Sequence, residues 1–68
     1  MNFDFSKSEY NFFIENCNFI NQEKEVFTLS RQGFSILEIS LKLNISTATV
    51  SRRIYSIKKK IMHEIFKN

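Results

Sequence analysis

An all-α fold of four helices is what this sequence predicts, on three observations. Its 68 residues include no proline and a single glycine, Gly33, so only one position carries a strong break. Hydrophobic residues make up 43% of the chain and include eight Phe, enough large apolar side chains to fill a small interior. Finally, Ser6, Ser35 and Ser46 each stand where a helix should begin, ahead of apolar residues at helical spacing. A chain of this length makes one domain, residues 1–68, with a modest core that subunit or partner contacts would reinforce. It has no internal repeat and no low-complexity segment.

The first helix is expected over about residues 6–17. Ser6 and Glu9 form an S-x-x-E capping box, and Phe5 and Tyr10 occupy the two places of a hydrophobic staple. Tyr10, Phe13, Ile14 and Cys17 then recur at i, i+3, i+4 and i+7. This stripe must be buried, either on the same chain or on a second subunit; Phe12 lies off it. Asn16, Asn18 and Asn21 mark a connection, with Asn21 as a possible cap, and a second helix is expected from Gln22 to Gln32. Val26 and Leu29 lie on its inward face with Phe27 alongside. Glu23 and Glu25 suit the positive end of the helix dipole, and Arg31 suits the negative end. Gly33 is placed as a left-handed residue after this helix, with Phe34 as the apolar contact of a Schellman ending.

Ser35 with Glu38 is a second capping box, and it starts a third helix. That helix can run only to about Lys42, because Ser46 caps a fourth. Asn44 sits where the chain must reverse and tolerates a left-handed backbone. Two helices joined by the turn Leu43-Asn44-Ile45 make a helix-turn-helix unit, whose second helix commonly enters the DNA major groove. Ile36, Ile39 and Leu43 are expected on the core side of the third helix and Leu37 on its rim. Ser40 is the small residue at a close helix approach, with its hydroxyl turned to a carbonyl four residues back. In the fourth helix Val50, Ile54, Ile57 and Ile61 share a narrow arc, opposite Ala48, Arg52, Tyr55, Ser56 and Lys59. Nothing interrupts Ser46 to Phe66, so this helix should be long, with Ile65 extending its apolar face.

The spacing Glu25-Val26-Phe27-x-Leu29-x-x-x-Gly33-x-Ser35-x-x-Glu38-Ile39-Ser40-x-x-Leu43-x-Ile45-Ser46-x-x-Thr49-Val50, followed by Ile57 and Lys60-Ile61, resembles the LuxR/GerE-type helix-turn-helix of bacterial transcription regulators over about residues 19–61. It is similar as well to the promoter-reading domain of sigma factors. The chain departs from the LuxR pattern at Ile20, Gln22, Ser40, Asn44 and Arg53, where that family has Thr, Arg, Ala, Gly and often His. The resemblance implies a DNA-binding transcription regulator in which Ser51 and Tyr55 occupy base-contacting positions. The bland readings are helix filler for Ser51 and a partial core edge for Tyr55.

Charge distribution points the same way. Residues 46–68 hold six cations against one acid, whereas residues 1–45 hold four against six. Basic charge is thus gathered on the helix that would meet DNA, although a merely solvated basic face gives the same composition. Arg52 points directly away from the core near the start of that helix, where it would read guanine or else hold a phosphate. Thr47, Thr49, Arg53, Lys59 and Lys60 suit phosphates, the threonines through hydroxyls at a helix N-terminus. Lys58 lies nearer the apolar arc and His63 reads as an ordinary surface residue.

Other classes of function find no support. One cysteine, Cys17, makes no internal disulfide and has no metal-ligand spacing to His63, so no metal or cofactor is expected. No nucleophile, base and acid come together as a set, and one glycine cannot build a phosphate-cradling loop, so the chain is not expected to be an enzyme. No apolar run approaches a membrane span and the N-terminus lacks a basic secretory region, which makes cytoplasmic the default location. The expected partner is double-stranded DNA, met by a homodimer on a palindromic site, with Tyr10, Phe13, Ile65 and Phe66 as candidate dimer contacts. The alternative is a protein-interaction module that binds RNA polymerase or another regulator through an aromatic N-terminal surface. A third reading, the recognition part of a recombinase or sigma-like protein, finds no accompanying domain in this sequence.

Overall fold

A computed structural model describes residues 3–67, so the two ends of the expected 1–68 domain lie outside the described residues. Four helices follow in order: α1 (Lys7–Asn16), α2 (Glu23–Arg31), α3 (Ile36–Leu43) and α4 (Thr47–Phe66). No strand occurs among the described residues. The all-α expectation holds, and α4 is the axis of the assembly, since each of the other three helices packs against it.

The local signals act where they were expected. Ser6 and Glu9 close a reciprocal capping box, as do Ser35 and Glu38. Gly33 has φ +98, Phe34 N–H donates to the Leu29 carbonyl and Gly33 N–H to that of Ser30, which is the hydrogen-bond pattern of a Schellman ending. Asn44 has φ 57 and ψ 47, so the turn between α3 and α4 is made by a left-handed asparagine.

The core is built on α4. Val50, Ile54, Ile57 and Ile61 are buried together with Val26, Phe27, Ile39, Phe13 and Phe3. Phe27 is its centre: the rings of Phe3, Tyr10 and Phe19 lie 5.2, 5.2 and 5.4 Å from it. The stripe of α1 is therefore covered by its own chain, with Tyr10 also hydrogen-bonded to Thr28 at 2.6 Å. Phe5 sits beside Phe13 at 5.0 Å and Phe27 at 6.2 Å, and its carbonyl accepts from Arg31 Nε.

Five expectations need correction. Neither Asn21 nor Gln22 caps α2 with its side chain; both are left-handed, with φ 51 and 68. Instead Glu23, expected only to complement the helix dipole, is buried and accepts from Ile20 N–H at 2.9 Å. Ile36 is 37% exposed rather than core, because α3 turns only Ile39, Ser40 and Leu43 inward. The Ser40 hydroxyl bonds the Leu37 carbonyl, three residues back, and not the fourth. Ile65 does not extend the apolar face: with Met62 and Phe66 it is more than half exposed.

Candidate nucleic-acid interface

The fourth helix begins at Ser46, whose hydroxyl accepts from Thr49 N–H at 3.0 Å. No acid stands in its first turn, so the remaining N–H groups and the dipole leave this end positive. With the Val50, Ile54, Ile57 and Ile61 seam buried, helical geometry carries Ser51, Arg52 and Tyr55 to the outside, and all three are exposed. The Arg52 guanidinium donates to Thr49 Oγ1 at 3.2 Å. Tyr55 is 64% exposed, so the core-edge reading fails for it, and Lys59 Nζ lies 5.5 Å from the centre of its ring. These residues share the outer side of α4 from its second turn to its fourth.

The expected phosphate contacts are not alike. Thr47 and Lys59 are exposed on or beside this face. Arg53 is half-buried, and its Nε is shut off from solvent with no protein partner. Thr49 already has its hydroxyl between Ser46 Oγ, 2.8 Å away, and the Arg52 guanidinium.

Lys60 departs from the expectation. Its ammonium bonds the Glu23 carboxylate at 2.5 Å and the Asn18 carbonyl at 2.7 Å, tying α4 to α2 and to the connection after α1. Ser56, expected on the outer face, also turns to Glu23 at 2.5 Å. Burial pushes the Glu23 carboxyl up, but the hydrogen bonds from Lys60, Ser56 and Ile20 and the Lys60 charge outweigh it and hold the group below its usual range. A carboxylate at the start of α2 with a Ser and a Lys four residues apart on a later helix is the signal that sequence reasoning overlooked.

Burial, followed by the Glu64 charge, raises the Cys17 thiol, which makes it a poor nucleophile. Among the described residues no group of His, Cys, Asp and Glu could hold a metal ion, and no helix is long and apolar enough to cross a membrane.

Comparison with known proteins agrees with this geometry. The family model of sigma-70, region 4 matches residues 21–61, the span from the left-handed start of α2 to the last buried residue of α4. No curated protein and no solved structure gave a match. Of the two resemblances in the spacing, the sigma-factor one is thus the one a family model supports; α1 lies outside the matched span. A DNA-binding helix-turn-helix related to transcription is present from α2 through the seam of α4, and the chain belongs to the sigma-70 region 4 family.

Proposed function

We propose that this chain is a sequence-specific regulator of transcription that reads duplex DNA with the first three turns of α4. Arg52, Ser51 and Tyr55 face base edges, while Thr47, Arg53 and Lys59 hold phosphates. The observation that carries the reading is the two-sidedness of α4: a seam of four buried aliphatic residues fixes the helix, and the opposite face is exposed, basic and free of acids through three turns. Lys60 is left out of the contact set because its charge is neutralised by Glu23.

Binding as a dimer on a palindromic site belongs to the same proposal. Tyr10 and Phe13 are withdrawn as dimer contacts, since both are used inside the chain. Met62, Ile65 and Phe66, exposed in the last turns of α4, supply the apolar contact for it. Selection of bound sequences from random duplexes tests the whole reading. A palindromic consensus supports it, recovery of a single unrepeated element removes the dimer, and recovery of no sequence removes specific DNA binding.

The second reading, contact with RNA polymerase or another regulator, is favoured by Leu37 and Leu41, which stand one turn apart on α3 and are 60% and 73% exposed. It no longer rests on an aromatic N-terminal surface, of which Phe12 is the one exposed ring among the described residues. Salt separates the two readings, because phosphate contacts weaken steeply as salt rises and an apolar interface does not.

A further inference from the structure

The same capping position is filled differently on α4 than on α1 and α3. Both α1 and α3 carry Glu three residues after the capping serine, and in both the carboxylate reaches back to the serine N–H. On α4 the residue at that place is Thr49. Its hydroxyl stands 2.8 Å from Ser46 Oγ and receives an N–H from Arg52 Nη2 at 3.2 Å. Ser46 already satisfies the Thr49 backbone N–H, so the cap does not need the threonine hydroxyl. Whichever of the two hydroxyls donates to the other, Thr49 Oγ1 keeps a lone pair for the guanidinium.

We infer that Thr49 is a specificity-determining positioning residue, which holds the guanidinium of Arg52 at the N-terminal end of α4 in the orientation that reads a base. The inference rests on the reading of α4 as the DNA-contacting helix. Thr is stiff at χ1 in a helix, and Ser46 fixes its hydroxyl from the other side, so it is a rigid peg for a side chain with many rotamers. An arginine held in this way loses less freedom when it docks. One Nη2 proton goes to Thr49, and the other Nη2 proton and Nη1 remain free for the two acceptors of guanine. A Glu at this position would complete the capping box, but its charge would attract Arg52 away from the base and repel phosphates.

The test uses the full chain, the duplex it selects from a random pool and a scrambled duplex, with thermal melts confirming folding. Arg52→Ala identifies the base position that Arg52 reads. Thr49→Val, which keeps the shape and removes the hydroxyl, should lower discrimination at that same position by about two- to tenfold, the range expected from releasing one ordered side chain. Thr49→Ser should restore most of it, and Thr49→Val should add nothing in the Arg52→Ala background. Undiminished discrimination in Thr49→Val overturns the inference and leaves the DNA-reading helix standing. Equal loss on both duplexes also overturns it, and makes Thr49 a phosphate contact. Thr49→Glu tests the underlying reading separately: if that variant folds and binds both duplexes as tightly as the parent, the N-terminus of α4 does not meet DNA and the reading of α4 falls.

Discussion

Two residues fix the path of the chain through backbone conformation alone. Gly33 has φ +98 with open space where a Cβ would project, so Gly33→Ala meets strain and no clash. It should destabilise the fold by about 1–2 kcal/mol in urea unfolding, the penalty of a side chain in left-handed backbone. Asn44 at φ 57 follows the same logic. Asn44→Gly should be near neutral, and Asn44→Val should lose about 1–2 kcal/mol, because a β-branched residue fits that region worst. Equal melting of the Val variant and the parent would remove the turn from the account. On DNA, Arg52→Ala should weaken the preferred duplex by about 1–3 kcal/mol and relax one base position, since a lost bidentate contact is read only where the right base stands. Gly33 and Asn44 were legible in the sequence because their conformations depend on neighbours within four positions in the chain, and the exposure of Arg52 was legible because it follows from helical angle.

Between elements the decisive contact is the one from Glu23 to Ser56 and Lys60, which holds the start of α2 against the outer flank of α4. Removing the charge in Glu23→Gln leaves Lys60 half-satisfied and should destabilise the fold by about 1–3 kcal/mol, as expected for hydrogen bonds to a charged group. The carboxyl titrates lower in the folded chain than its ordinary value of 4.5. Its contribution is therefore complete above about that pH and is lost as pH falls through the folded value. Urea midpoints of the parent and Glu23→Gln should accordingly differ at neutral pH and converge in acid; a constant difference down to the acid limit would contradict the ion pair. The same contact divides two adjacent lysines. Lys59→Ala should lower the slope of log affinity against log salt by about one unit with little change in stability. Lys60→Ala should do the reverse.

At the scale of the whole molecule, the N-terminal segment and α1 complete the core that α2, α3 and α4 begin. Phe3 is 4% exposed and stands edge-on to Phe27. Phe3→Ala should destabilise the domain by about 3 kcal/mol, near the lower figure for a buried Phe, since a residue so close to the terminus leaves a site that can partly collapse. In the last turns of α4 Met62, Ile65 and Phe66 are more than half exposed. Sedimentation at tens of micromolar should show a dimer that Phe66→Ser shifts toward monomer. A parent that sediments as a monomer both alone and on its selected duplex would end the dimer proposal.

The sequence by itself determined where α1, α3 and α4 begin and where α2 and α3 end, because serine caps, a left-handed glycine and a left-handed asparagine act through residues three to five apart. It determined the buried seam of α4 and its exposed face as well, since both follow from the angle per residue. Only the tertiary structure decided what covers each face. Phe3 lies in no helical repeat, and the stripe of α1 read equally well as a subunit contact until Phe27 was seen to fill it. Ile36 and Ile65 share the pattern of core residues and lack a neighbour to bury them. Likewise Glu23 and Lys60, 37 residues apart, read separately as a helix-dipole partner and a phosphate contact. Pairing of that kind depends on how α2 lies across α4, and no local spacing encodes the distance between two helices.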